Sequence, residues 1–322
     1  MKIKLLLCLS FIQVQASDKV LLVSGFPSDG IELLDLSKNI SCLNKLPPTP
    51  NAVVSNFGGL IDNNTLLICG GSYVGNRFDT CHTLNLPNGE HFVESASLNI
   101  GRCCGDSVQF NDHEILVAGG LDNLSNFPMK TELVSHGSTR PGPTLPYSVL
   151  SPCMVRLNNS IIALTGGYNQ DDVFDSISYY HQDTGKWLNG PPMPVPKYDH
   201  GCATMVLDGS EYLVLAGGTS YYAANSDSVE ILDLATNQWT HGPALPGYRY
   251  ALALVQAETK DRLYAIGGVG NGTFLDLVLE MHCSKGLESC QWKPKQQLLN
   301  PRAYFLAIPI ANALISCEDD EE

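Results

Sequence analysis

Four cysteines and a histidine recur at similar places in successive stretches of the chain, where they could bind a metal ion or form disulfides. They are Cys103, Cys104, Cys153, Cys202 and His200. Thiolates and an imidazole are ligands that zinc and copper accept, whereas in an oxidising compartment the same cysteines pair with one another. We favour disulfides, predict no bound metal or cofactor, and leave the pairing of these four cysteines open.

The remaining cysteines suggest three disulfides through their positions in the chain. Two pairs flank short segments that read as hairpins or loops, so that their side chains can face each other across adjacent strands. A third pair lies near the two ends of the chain and could tie them together. These candidate pairs are Cys69 with Cys81, Cys283 with Cys290, and Cys42 with Cys317.

The first sixteen residues have the pattern of a secretory signal peptide. Lysines at positions 2 and 4 precede an apolar run over residues 5–12, and Val14 and Ala16 form a small-x-small cleavage site before Ser17. The run is shorter than the roughly 20 apolar residues of a membrane span, and we predict no span. Cleavage would change the net charge from −14 to −16 and leave ten of the eleven cysteines. We therefore predict a secreted protein.

Secretion gives meaning to five Asn-x-Ser/Thr sequences, which are acceptors for N-glycosylation. All five fall in predicted turns or loops, where a glycan would not disturb a core. The candidate asparagines are Asn39, Asn63, Asn123, Asn158 and Asn271.

Composition and charge exclude some classes of partner. The chain has 322 residues, 44% of them hydrophobic, which is enough to build a core. Its 33 acidic residues outnumber its 19 lysines and arginines, so it lacks the positive charge that nucleic acids and anionic membranes attract. We expect no nucleic-acid partner, and we interpret residues 318–322 as a solvated acidic tail.

Diglycine sequences that close short apolar runs recur along the chain. Gly70-Gly71, Gly119-Gly120, Gly166-Gly167, Gly217-Gly218 and Gly267-Gly268 are 49, 47, 51 and 50 residues apart, and a degenerate copy ends at Gly25. A period this regular indicates six structural repeats rather than two unrelated domains.

Each repeat shows four short strand patterns separated by turn residues. In the fifth repeat, residues 202–207 and 212–216 read as two strands, and residues 229–234 and 238–240 read as two more. Trp187, Trp239 and Trp292 occupy similar places in the last strand of their repeats. Four antiparallel strands of this kind form one blade of a propeller.

These features resemble those of the Kelch family of β-propellers. The resemblance rests on the diglycine after the second strand and on the Trp about seven residues beyond the third, as in Tyr180 to Trp187 and Asp233 to Trp239. It implies an all-β, six-bladed Kelch-type propeller over residues 17–317, with four antiparallel strands per blade. Since residues 304–310 align with the first strand of the other repeats, we expect the C-terminal strand to complete the first blade and close the ring.

One end of the expected ring gathers aromatic and charged residues. Tyrosine and arginine offer large contact areas with a polar end, so this rim is the predicted recognition surface. The predicted rim residues are Tyr73, Arg102, Tyr147, Tyr168, Tyr198, His200, Tyr221, Tyr222, Tyr248, Arg249, Tyr250 and Arg302, accompanied by Tyr304, Lys197 and Asp199. The competing interpretation is structural, because Kelch-like repeats commonly carry an arginine before the first strand.

The sequence contains no recognised catalytic motif. We therefore predict a secreted, glycosylated binding module for an extracellular protein, peptide or glycan, and not an enzyme. The alternative is a carbohydrate-active enzyme, since the resembled family includes copper-radical sugar oxidases and sugar mutarotases. The oxidase type would need two histidines and two tyrosines at the channel mouth, with one tyrosine linked to a cysteine. The corner that could supply part of this set contains His200, Tyr198, Tyr250 and Cys202.

Overall fold

A computed structural model describes residues 17–28, 30–50, 53–220 and 226–317. The predicted signal peptide (1–16), the acidic tail (318–322), Tyr221 and Tyr222 lie outside the described residues. Within the described part, six four-stranded antiparallel sheets form the blades of a propeller, which confirms the predicted fold class. The described residues contain no helix that is long and apolar enough to cross a membrane.

The first three blades each have four strands, in order from the innermost to the outermost. Blade 1 consists of Leu306–Pro309, Lys19–Val23, Ile31–Asp35 and Ile40–Leu43. Blade 2 consists of Phe57–Ile61, Thr65–Cys69, Cys81–Asn85 and Val93–Glu94. Blade 3 consists of Asp106–Asn111, Glu114–Ala118, Glu132–Ser135 and Ser138–Pro141.

The other three blades follow the same order. Blade 4 consists of Cys153–Arg156, Ile161–Thr165, Ile177–His181 and Lys186–Asn189. Blade 5 consists of Gly201–Leu207, Ser210–Ala216, Val229–Asp233 and Gln238–His241. Blade 6 consists of Ala253–Gln256, Arg262–Ile266, Leu277–His282 and Gln291–Gln297, with a short 3-10 turn at Leu287–Ser289.

Three short antiparallel ladders, with two residues in each strand, lie in the loops of these blades. They pair Ser72–Tyr73 with Asn76–Arg77, Arg102–Cys103 with Leu121–Asp122, and Val269–Gly270 with Thr273–Phe274.

The two ends of the described chain meet in blade 1, as predicted. Leu306–Pro309 pairs antiparallel with Lys19–Val23, so the last strand supplies the inner edge of the first blade. The Lys19 ammonium donates hydrogen bonds to the carbonyls of Asn312 (2.6 Å) and Ile315 (2.7 Å). A disulfide between Cys42 and Cys317 joins the outer strand to the C-terminal segment. Closure therefore pairs the edge of Lys19–Val23 that would otherwise be open.

The second strand of each blade is buried on both faces because neighbouring blades cover it. Leu66 and Leu67 are both fully buried, and they pack into two different clusters on opposite sides of blade 2. This explains why these strands read as continuous apolar runs rather than as alternating patterns. Trp292 packs between blades 5 and 6, and its indole N–H donates to the Pro243 carbonyl at 2.9 Å.

The diglycines are required by backbone geometry. Gly217 has a φ of +67°, and a Cβ placed on it would lie 2.2 Å from the Arg249 carbonyl oxygen. No larger residue fits where the loop entering the next blade crosses this close to the strand end.

Four disulfides are present among the described residues. Three join the predicted pairs, Cys42–Cys317, Cys69–Cys81 and Cys283–Cys290. The fourth, Cys153–Cys202, joins the innermost strands of blades 4 and 5 and resolves part of the pairing that the sequence left open. Cys103 and Cys104 are free thiols in the structure.

Candidate functional site

The loops of the ring emerge at two ends. We call the mouth end the one with the loops that connect the second strand to the third and each blade to the next. The opposite end holds the turns between first and second strands and between third and fourth strands. The predicted rim lies at the mouth end.

Six residues, one before each innermost strand, form a closed ring of backbone hydrogen bonds around the channel at the mouth end. In order around the channel, this backbone ring consists of Ser55, Cys104, Ser151, Asp199, Ala251 and Tyr304. Each N–H donates to the carbonyl of the preceding member, with N–O distances of 2.8 to 3.3 Å, and Ser55 donates to Tyr304 to close the circle.

All six members of the backbone ring have positive φ values, between 49° and 64°. Non-glycine residues adopt this left-handed conformation at a cost of roughly 1 kcal/mol each, so it persists only where the surroundings impose it. Tyr304 and Asp199 were predicted near the rim, but the ring itself was not predicted, since its members differ in type. The only signal in the sequence is their recurrence at the repeat spacing.

The backbone ring surrounds a cavity of about 240 Å³ at the mouth of the channel. Besides the six ring residues, Asn56, Asp106 and His200 line it, together with both cysteines of the Cys153–Cys202 disulfide. A second cavity of about 220 Å³ continues along the innermost strands, where Gln109, Arg156 and Thr204 are among the lining residues.

Two carboxyl groups give the mouth cavity its chemical character. Burial raises the pKa of Asp106 to about 7, although its carboxylate accepts hydrogen bonds from the backbone N–H groups of Met154 and Ser107. Burial also raises the pKa of Asp199 to about 6, opposed by a hydrogen bond from Ser151. Near neutral pH both groups can therefore donate or accept a hydrogen bond.

His200 is buried and neutral beside this cavity. Its Nε2 lies 2.8 Å from the Thr165 hydroxyl oxygen, and burial, together with the charge of Lys197, lowers its pKa to about 3. Its Nδ1 has no hydrogen-bond partner within the described residues. This enclosed nitrogen is therefore an unpaired polar atom in the wall of the cavity.

The predicted arginine contacts require correction, because the structure buries these side chains. Arg102 and Arg302 are fully buried and form ion pairs with Glu132 (2.7 Å) and Glu32 (3.0 Å). Arg249 is also buried, and it donates to the carbonyls of Ala265 and Leu277.

Lys197 is buried in the same way, in an ion pair with Glu230. In each case the cation and its acceptors belong to the same blade, so the contacts join a blade's entry loop to its second or third strand. They hold the mouth-end loops in place and do not form an exposed surface.

The tyrosines at the mouth end fall into two groups. Tyr73 and Tyr248 are exposed. The others are half-buried, and several stack, as in Tyr168 with Tyr198 (ring centroids 4.4 Å apart) and Tyr147 with Phe174 (4.7 Å). The half-buried group consists of Tyr147, Tyr168, Tyr198, Tyr250 and Tyr304.

Exposed large apolar side chains concentrate at the mouth end. Those in its loops are Phe26, Tyr73, Val74, Leu124, Met129, Tyr248 and Leu299. Those elsewhere in the described chain lie in outermost strands, at Ile40, Val93 and Leu188. A one-sided accumulation of exposed apolar side chains is typical of an interaction surface.

The five sequon asparagines are all exposed in turns or loops, in agreement with their predicted placement. Asn39, Asn63 and Asn158 lie at the opposite end, and Asn123 and Asn271 lie at the mouth end. The Asn123 side chain is held by Arg77, accepting from its backbone N–H (2.9 Å) and donating to its carbonyl (2.8 Å).

The corner predicted for a copper-radical centre does not have its cysteine available. Cys202 is bonded to Cys153, so it cannot form a thioether with a tyrosine. Within the described residues, no group of three or more His, Cys, Asp or Glu side chains could hold a metal ion.

Comparison with known proteins confirms the Kelch resemblance. The Kelch motif matches residues 200–246, which span most of blade 5. Kelch-like protein 40 of Xenopus tropicalis is 28% identical over 124 residues, which are 38% of this chain and only 19% of that protein. The solved structure of YjhT aligns with a TM-score of 0.68 over 88% of this chain and 99% of that chain, at 13% identity, which shows a shared fold alone.

Proposed function

We propose that this protein is a secreted, glycosylated Kelch-repeat module that binds an extracellular protein, peptide or glycan at its mouth end. The observation that carries the proposal is the concentration of exposed apolar side chains on the mouth-end loops. Kelch repeats and a Kelch-like relative favour a binding role over catalysis.

The chemistry of the mouth end suits recognition of a ligand that is partly apolar and partly polar. Exposed rings such as Tyr73 and Tyr248 supply contact area at low conformational cost. The cavity behind them offers the carboxyl groups of Asp106 and Asp199 for directed hydrogen bonds. An apolar surface around a small polar cavity is a common arrangement in binding sites.

Secretion and glycosylation are supported by several independent features. The signal-like pattern of residues 1–16, the four disulfides and the exposure of all five sequons agree with passage through an oxidising compartment.

The binding proposal is tested by selecting ligands for the purified full chain from a phage-displayed random peptide library and from a glycan array. The double variant Tyr73→Ser/Tyr248→Ser should weaken the selected binders by about tenfold or more, since exposed aromatic anchors dominate interface energies. The matched control, Val93→Ser/Leu188→Ser, removes equally exposed apolar groups from outermost strands and should leave binding unchanged. Binders that lose affinity only in the control variant would contradict the proposal.

A sugar-active enzyme is the second candidate, and the raised pKa values of Asp106 and Asp199 favour it over a purely structural cavity. Two carboxyl groups that titrate near neutrality could act as acid and base on a reducing sugar. The test follows anomer exchange of N-acetylneuraminic acid by NMR with the full chain, and with Asp106→Asn and Asp199→Asn variants. Exchange no faster than in buffer would remove this candidate.

A further inference from the structure

Two neighbouring cysteines at the mouth end take no part in the four disulfides. The sulfur atoms of Cys103 and Cys104 lie 2.7 Å apart. This is closer than two sulfurs approach in ordinary packing, and somewhat longer than the roughly 2.05 Å of an S–S bond. The other described cysteines are bonded in the four pairs, so on oxidation each of these two has the other as its partner.

The backbone holds this pair in position from both sides. Cys103 pairs with Leu121 in a short ladder. Cys104 belongs to the backbone ring, donating to the Ser55 carbonyl and accepting from the Ser151 N–H. The close approach of the two sulfurs is therefore built into the structure of the mouth and does not depend on a mobile loop.

The two cysteines differ in how exposed they are to the mouth cavity. Cys103 is 2% exposed, whereas Cys104 is more exposed and lines the mouth cavity. A small reagent that enters the cavity therefore meets Cys104 first. Access decides which sulfur of a disulfide is attacked, together with how well the other sulfur leaves as a thiolate.

We propose that Cys103 and Cys104 form a vicinal disulfide that small thiols and disulfides open and close reversibly, which makes the mouth cavity a thiol–disulfide exchange site. The four other disulfides join separate strands or segments of the blades, and we assign them a structural role, including Cys153–Cys202, which lines the same cavity. The proposal goes beyond ligand binding at the mouth end and does not depend on it.

The thiol–disulfide exchange reaction needs only an external thiol and its disulfide as co-reactants. In reduction, an external thiolate attacks the Cys104 sulfur, the Cys103–Cys104 bond breaks, and Cys103 leaves as a thiolate. A second external thiolate then attacks the external sulfur of the mixed disulfide, releases Cys104 as a thiolate, and departs as the external disulfide. Two protons complete the two cysteine thiols, and oxidation follows the same steps in reverse.

The electrostatics support this direction of attack. A hydrogen bond from Cys104, aided by Arg77, lowers the pKa of Cys103 to about 7 against the effect of burial. The hydrogen bond to Cys103 and burial raise the pKa of Cys104. In the mixed disulfide Cys104 has no hydrogen to donate, but Arg77 still favours the Cys103 thiolate, so the buried sulfur remains the better leaving group, since thiols of lower pKa leave faster.

The first experiment equilibrates the purified full chain with mixtures of reduced and oxidised glutathione, alkylates free thiols with N-ethylmaleimide, and maps peptides by mass spectrometry. The peptide containing Cys103 and Cys104 should pass reversibly from unlabelled to doubly labelled as reduced glutathione increases. Peptides of the other four pairs should stay unlabelled. Double labelling even in oxidised glutathione, or opening only together with the other disulfides, would overturn the proposal.

A second experiment uses phenylarsine oxide, which condenses with two neighbouring thiols to form two As–S bonds and release water. After mild reduction, the native chain should retain one equivalent, and Cys103→Ser and Cys104→Ser should each retain none. Ser55→Ala is the matched control in the same ring, where Ala251 shows that alanine is accommodated. Equal retention by the native chain and both serine variants, with thermal melting showing all of them folded, would contradict a vicinal pair.

Discussion

The ion pairs at the two ends of the ring differ in burial. At the mouth end, Arg102, Lys197 and Arg302 are buried and paired with carboxylates of their own blades. At the opposite end, His113 and Asp62 are both exposed, and the exposed Arg140 pairs with the half-buried Glu114. Among the ion pairs of the described residues, the fully buried ones therefore lie where the mouth-end loops must hold a definite shape.

Burial therefore determines how much an ion pair near a loop contributes to stability. A buried pair makes loss of one partner costly, because the other charge is left without solvent or a counterion. An exposed pair contributes little, since water and salt replace it. Substitutions at the two ends should therefore differ in their cost, most of all where a buried charge loses its partner.

Removing a buried cation at the mouth end should destabilise the protein far more than removing an exposed one at the opposite end. Arg302→Ala leaves the buried Glu32 carboxylate without its ion-pair partner and should lower the free energy of unfolding by about 3–5 kcal/mol. Arg140→Ala, at the other end, should change it by less than about 1 kcal/mol. Urea unfolding of both variants measures the difference, and equal losses would abolish the contrast between the ends.

The carboxyl group of Asp106 should make stability depend on pH. Because its pKa is raised from 3.8 to about 7 in the folded state, the unfolded chain releases this proton first as pH rises. This group therefore lowers stability as pH rises from about 4 to 7, by an amount on the order of 4 kcal/mol. Asp106→Asn removes this contribution.

Thermal and urea unfolding between about pH 4 and pH 8 would show Asp106→Asn gaining stability relative to the native chain as pH rises. The control is Asp183→Asn, an exposed carboxylate at the opposite end, whose curve should run parallel to that of the native chain. A parallel curve for Asp106→Asn as well would show that the cavity does not hold this group in its protonated form.

Within the mouth end, Arg249 offers a finer comparison because it contacts carbonyls instead of a carboxylate. Burial lowers its pKa to about 10. Arg249→Met leaves no charge stranded, so it should cost only about 1–2 kcal/mol, mostly through lost hydrogen bonds. A loss of unfolding free energy as large as that of Arg302→Ala would indicate that the buried position of the arginine, and not the charge of its partner, determines the cost.

The smallest expected difference in stability is between variants of the sequon asparagines Asn123 and Asn158. Asn123→Gln disturbs the two hydrogen bonds to Arg77 and should destabilise by about 1 kcal/mol, whereas Asn158→Gln disturbs one exposed hydrogen bond from the Ser160 N–H and should cost less. Both variants should lose the mass of one glycan when the chain is expressed through the secretory pathway. An unchanged mass in either variant would show that the site is not occupied.

The repeat spacing predicted the architecture well because diglycines and tryptophans report local backbone and packing needs. Gly217 is required where the entry loop of the next blade crosses it, and Trp292 fills the space between two blades. Such requirements recur in every repeat, so they are visible in one sequence. Closure by residues 306–309 was predictable for the same reason.

The site was less predictable because it depends on contacts between repeats. Arg302 was predicted to lie on the recognition surface. In the structure it is buried and paired with Glu32, which lies 270 residues away in the chain. The backbone ring has no consensus residue type, since its members are joined by main-chain atoms. Pairing of Cys153 with Cys202 depended on how two blades face each other.

The backbone ring also decides which atoms can give the mouth its specificity. Its six amides run head to tail in one rotational sense, so their dipoles cancel around the channel axis, unlike those of a helix. Each N–H of the ring is already engaged, so the ring itself offers no cluster of donors to attract an anion. Where the ring borders the cavity, selectivity must therefore reside in side chains, which can change during evolution without breaking the circle that supports them.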